Sequence, residues 1–175
     1  MEINIVRFEH EIVNQILISE LCFDICKSIK IIPGKGSDFL PYYYNLNYIK
    51  GLISLHSLLL SKEKGELSII NYISEYKHNF PKTNIQNFKR DISLIANLFK
   101  KTFPLPLRNK IAAHIDVSFK HLDFTSAYII PELVNKYVKI IKQLKVSFFK
   151  FCNHAEQDNP FKKIKQQSDS LLKKL

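Results

Sequence analysis

With 175 residues, 46% of them hydrophobic, the chain has enough apolar material to bury the core of one domain. No apolar run approaches the roughly 20 residues of a membrane span, and the acidic start with Glu2, Glu9 and Glu11 has none of the character of a secretory leader, so a cytoplasmic protein is expected. The net charge of +10 excludes little by itself: 23 of the 26 basic residues are lysine in a chain crowded with Ile and Asn, which biased base composition alone would produce.

Apolar residues at three- and four-residue spacing, the mark of amphipathic helices, predict a first helix from about Asn4 to Ile31, with Ile5, Phe8, Ile12, Ile16, Cys22 and Cys26 on related faces. Cys22 and Cys26 lie four apart and Cys152 is remote. That spacing suits neither a disulfide framework nor a zinc site, and it makes packed free thiols the expectation. Ile32-Pro33-Gly34-Lys35-Gly36-Ser37 and Lys62-Glu63-Lys64-Gly65 read as turns. Between them a second helix is predicted from Pro41 to Ser61. It carries His56 among apolar neighbours, read as a core histidine, and the cluster Tyr42, Tyr43, Tyr44 and Tyr48, read as core or dimer packing ahead of base stacking.

A third, shorter helix is predicted from Leu67 to Phe80, ended by Pro81. A fourth follows from Asn84 to Phe103, capped by Thr83 or Asn84. Pro104 and Pro106 interrupt it, and Pro106 can open a new first turn. The last long helix starts near Thr125 or Pro131 and runs to Asn153, presenting Leu133, Tyr137, Ile140, Leu144, Phe148 and Phe151 as one stripe. No strand pattern of useful length is present. The sequence therefore predicts an all-α fold, an antiparallel bundle of four to six helices over residues 1–159, followed by a basic tail or short helix over 160–175. His78, His121 and His154 have no ligand-like spacing and are placed on the surface.

Residues 136–175 hold ten lysines against three acids, whereas residues 1–135 hold 16 basic residues against 13 acids. An uneven basic surface attracts phosphates through counterion release. Lys142, Lys145, Lys162 and Lys163 are accordingly candidate RNA contacts, and a solvated helix face is the plainer reading of the same residues.

The stretch Arg108-Asn109-Lys110-Ile111-Ala112-Ala113-His114-Ile115-Asp116 stands apart. Arg108 is one of only three arginines, and a guanidinium forks onto phosphate oxygens where an ammonium cannot. A histidine, with an ordinary pKa of roughly 6.5, both accepts and donates protons near neutral pH. The pair can run metal-free RNA cleavage, His114 acting on the 2′-hydroxyl or the leaving oxygen while Arg108 stabilises charge on the phosphate. Lys110 shares a helical face with His114. Arg108 lies roughly 240° from it on an ideal helix, so an irregular first turn, a wrapping arginine or a second chain must complete the site. The alternative is a histidine ordering Asp116 beside an ordinary surface arginine.

Arg-Asn-x4-His on a helix of a small all-α protein resembles the signature of HEPN domains. The longer string is similar to the AbiU-like abortive-infection branch, as is the preceding Glu66-Leu67-Ser68-Ile69-Ile70-Asn71-Tyr72. The resemblance implies a helical bundle and a homodimer whose two motifs face one cleft. It further implies metal-independent endoribonuclease activity in phage defence or a toxin–antitoxin system, with no cofactor. On this basis Arg108 and His114 are the catalytic candidates, with Asn109, Lys110 and Asp116 in supporting positions. Asp116 stands where some toxin members carry a tyrosine that an antitoxin nucleotidylates, so that form of control is not expected. A non-catalytic helical module that binds RNA or a partner protein, such as an antitoxin or another defence component, is the alternative.

Overall fold

The computed structural model describes residues 2–29, 39–63, 65–103, 131–153 and 162–172. These residues form an all-α bundle of six helices: α1 (Glu2–Ser28), α2 (Phe39–Leu60), α3 (Ile69–Tyr76), α4 (Lys82–Thr102), α5 (Pro131–Cys152) and α6 (Lys162–Leu172), with one 3-10 turn at Lys77–Asn79. The segment 104–130, which contains the whole Arg108–Asp116 stretch and His121, lies outside the described residues, as do Gly34, Gly36 and His154.

Helix α5 packs between α1 and α4. Its predicted stripe is almost wholly sequestered: Tyr137, Ile140, Leu144 and Phe148 are 0% exposed. On one side α5 runs antiparallel to α1, since Glu20 pairs with Lys145 while Phe23 meets Tyr137. On the other it runs antiparallel to α4, with Phe88 stacked on Phe151 at 4.1 Å and Phe99 against Tyr137 at 6.0 Å. Aromatic pairs in this arrangement add stability beyond the area they bury.

Helices α1 and α2 pack closely because α2 carries Gly51 where Phe23 crosses. A Cβ at that position would stand 2.7 Å from Phe23 Cε2. Phe23 is fully buried and held between Tyr48 and Tyr137, so its ring has nowhere to swing. Gly51→Ala is therefore expected to cost about 1–2 kcal/mol even after the helix-propensity gain of alanine. A thermal melt reads this as a fall of several degrees, and an unchanged Tm would show that the helices separate freely here.

The link from α2 to α3 is built by local polar bonds. Gly65 adopts φ +88°, a left-handed turn that a side chain would strain. The Asn71 side chain donates to the carbonyls of Glu63 and Glu66 at 2.7 and 2.9 Å, and Ser57 Oγ donates to Leu67 O. Ser68, fully buried, caps α3 by accepting from the Asn71 N–H at 3.2 Å. The Leu67-Ser68 dipeptide is thus a helix start.

Helix α4 begins earlier than its capping residues suggested. Pro81 is its N-cap, with no side-chain cap, and the Pro81 carbonyl accepts from the Ile85 N–H at 3.1 Å. Thr83 and Asn84 fall inside the first turn because proline already supplies the extended entry and the carbonyl that starts the ladder. At the far end, Asn153 takes a left-handed φ of 56° just past α5, a usual way for asparagine to end a helix. Helix α6 packs on the bundle, Ser168 facing the Tyr43 hydroxyl at 3.4 Å, so of the two readings of this stretch Lys162–Leu172 is the short helix.

Candidate functional site

Arg108, Asn109, Lys110, His114 and Asp116 lie outside the described residues; what the structure supplies is the end of the bundle that brackets their segment. The chain enters 104–130 from Phe103 at the end of α4 and leaves it at Pro131 at the start of α5. Those two helix ends are neighbours, because the Tyr137 hydroxyl donates to Thr102 O at 2.8 Å. His56 is half-buried, its ring 5.6 Å from that of Phe103. It therefore sits at the edge of the core, where the candidate segment begins.

The tyrosine cluster divides by burial. Tyr42 is exposed, whereas Tyr44 and Tyr48 are 3% and 2% exposed and stack on each other at 6.1 Å. Burial raises the pKa of both phenols, that of Tyr48 to about 12. The buried pair is core packing, one of the readings the sequence left open, whereas Tyr43 is half-buried and Tyr42 presents an open ring.

The three cysteines are free thiols, Cys22 and Cys26 buried and Cys152 half-buried. Desolvation pushes Cys22 up to about 11 and Cys152 to about 12, which keeps them protonated and inert. Among the described residues no group of His, Cys, Asp and Glu has the clustering a metal ion requires. His78 is exposed.

Of the four lysines named as RNA contacts, Lys142 and Lys163 are exposed. Lys145 is not on that surface: it is 9% exposed and bound to Glu20 Oε2 at 3.2 Å. The backbone of Lys162 opens α6. The cause is the apposition of acidic α1 with α5 and α6. Glu20 holds Lys145, Asp24 lies close enough to Lys142 and Lys165 to feel both charges, and Lys165 also pairs with Asp169 at 3.0 Å. Lys145 and Lys165 are thereby matched by carboxylates, whereas Lys136, Lys139, Lys142, Lys150 and Lys163 are exposed.

Asp24 feels this crowding. Burial, reinforced by the neighbouring Glu20 carboxylate, raises its pKa above the ordinary 3.8 despite the opposing lysines. A carboxyl raised in the folded state costs stability when ionised; that cost is relieved as pH falls through the folded pKa and is gone below 3.8. Asp24→Asn is thus expected to gain about half a kcal/mol at neutral pH, a surface-scale effect, and to lose its advantage near pH 3. Equal gains at both pH values would assign the effect to something other than ionisation.

Two features had no mark in the sequence. Glu9 is buried at 8% exposure and accepts a hydrogen bond from the Tyr72 hydroxyl, which also neighbours Cys152 Sγ at 3.8 Å. A buried carboxylate held this way is a core polar contact. The second is a groove of about 580 Å³ between the end of α2, α3 and α4. Lys62, Lys77, Lys89 and Lys100 rim it, and Leu59, Ile70, Ile73, Ile92 and Ala96 form its floor. Its α4 wall could have been suspected, since Lys89, Ser93, Ala96 and Lys100 share one helical face. The rest comes from separate elements.

The described residues define an all-α protein in which no helix is long and apolar enough to cross a membrane. The comparisons add no narrower class: the chain matches no protein-family model, no curated protein and no solved structure.

Proposed function

We propose that this chain is a HEPN-like, cytoplasmic, metal-independent endoribonuclease of a phage-defence or toxin–antitoxin system, cleaving RNA with Arg108 and His114 at a homodimer cleft. The single observation that carries this reading is the Arg108-Asn109-x4-His114 spacing in a chain whose described part is an all-α bundle. In the proposed chemistry His114 takes the 2′-hydroxyl proton or protonates the leaving oxygen, and Arg108 holds the phosphate oxygens as negative charge builds. Asn109, Lys110 and Asp116 support that pair, and a second subunit reunites groups that one ideal helix would turn apart.

The experiment is incubation of total cellular RNA with the purified protein in the presence of chelator, wild type beside His114→Ala. Discrete cleavage by the wild type alone supports the proposal. Intact RNA in both, or equal cleavage by both, overturns it.

A second reading, a non-catalytic helical module that binds RNA or a partner protein, is favoured by the lysine-rimmed groove, whose described lining residues contain none of the motif. It predicts binding that survives His114→Ala.

A further inference from the structure

The groove between α3 and α4 has three properties that together restrict its occupant. Its floor is aliphatic, built from side chains such as Ile70, Ile73 and Ile92, with no aromatic ring among the described lining residues. Its rim carries Lys62, Lys77, Lys89 and Lys100 with no carboxylate among those same residues. Its α4 wall extends from Lys89 to Lys100, three helical turns or about 16 Å at 1.5 Å per residue.

We propose that this groove docks an acidic amphipathic helix of a partner protein, about three turns long, with aliphatic anchors on the floor and carboxylates on the four lysines. An apolar trough invites the apolar stripe of a helix, read by anchors at i, i+3 or i+4 and i+7. The lysine rim selects among such helices, since like charge at an interface is repelled and opposite charge steers encounter. Three facts set aside the other occupants. Single-stranded RNA gains affinity by stacking bases on rings or guanidinium planes, and this lining offers neither. A second copy of this chain brings net charge +10 to a cationic rim. The exposed leucines of α4, Leu94 and Leu98, lie beside Arg90 and Lys101 and would bring more positive charge. The described lining residues all fall between Leu59 and Lys100, and the proposed RNA chemistry uses none of them.

The test uses the full chain and a fluorescein-labelled synthetic helix of about fourteen residues, leucines on one face and glutamates flanking them. A peptide of identical composition with its leucines scattered is the control, and a single-stranded RNA of about ten nucleotides is the competitor. Anisotropy should show the amphipathic peptide binding at least about tenfold more tightly than the scattered one. Lys77→Glu/Lys100→Glu, and separately Ile70→Asp, should each weaken it by about tenfold or more, a change of 1.4 kcal/mol. Lys136→Glu/Lys139→Glu, an equal charge change on exposed α5 positions, should leave it within about twofold. All these positions are at least partly exposed, and melts of each variant verify folding. Equal binding of the two peptides, or insensitivity to the groove variants, overturns the proposal. RNA that binds in the groove and is lost in the same variants replaces the helix by nucleic acid. Self-association abolished by Ile70→Asp replaces it by a second copy. Because no outcome involves cleavage, failure here leaves the endoribonuclease reading untouched.

Discussion

Lys145→Met is expected to destabilise the protein by about 3 kcal/mol, the scale for removing one partner of a buried ion pair. The side chains of Lys145 and Glu20 are only 11% and 15% exposed, so water cannot replace the lost charge. The mutant would leave the Glu20 carboxylate without that cation, in a region already crowded by Asp24. For a chain of this length the loss corresponds to a fall in Tm of roughly 6–12 °C. Glu20→Leu alone should also destabilise, because it strands a buried ammonium. The double variant Glu20→Leu/Lys145→Met should recover to within about 1 kcal/mol of wild type, since an apolar pair of similar size avoids the desolvation cost. A double-mutant cycle measures this directly. Additive losses in the two single variants would show that the pair is solvated and weak. Because the pair is shielded, its coupling should change little between low and high salt, unlike that of surface pairs such as Arg7 with Glu11.

The second large effect is chemical. On the proposed mechanism, His114→Ala lowers the RNA-cleavage rate by about a hundredfold to ten-thousandfold, the usual contribution of a positioned acid–base group. The wild-type rate should depend on pH through an ionisation near the ordinary histidine value of roughly 6.5, and the residual rate of the variant should lack that dependence. Arg108→Lys keeps the charge but loses the fork, so a large fall in that variant as well would favour bidentate phosphate contact over simple attraction. Cleavage by His114→Ala at the wild-type rate and pH profile would remove the imidazole from the mechanism.

Much of the architecture was legible because it depends on local periodicity and on breakers. The stripe of α5 fixed both the helix and its buried face, since Tyr137, Ile140, Leu144 and Phe148 recur at helical spacing. Ser68 was recognisable as part of a motif, and its role as a cap needs only the residues beside it. The start of α4 was misplaced by two residues because Thr83 and Asn84 are good caps in isolation and Pro81 competes for the same boundary. Candidate residues fared differently according to what surrounded them. The tyrosine cluster could be read as packing but not divided into exposed Tyr42 and buried Tyr44 and Tyr48, and Lys145 could not be assigned to Glu20, 125 residues away.

The sequence by itself determined the all-α class, the order of the described helices, the buried stripe of α5 and the packed thiols. All of these follow from spacing within one turn or a few. Tertiary structure alone decided which charges meet. It folded acidic α1 against basic α5 and α6, so that Glu20 takes up Lys145 while Lys142 and Lys163 stay exposed. It also gathered four scattered lysines from the end of α2, α3 and α4 around one apolar trough. The reason is physical: helix formation is governed by neighbours three and four residues apart, whereas charge pairing depends on distance in space, which exists only once the helices have packed.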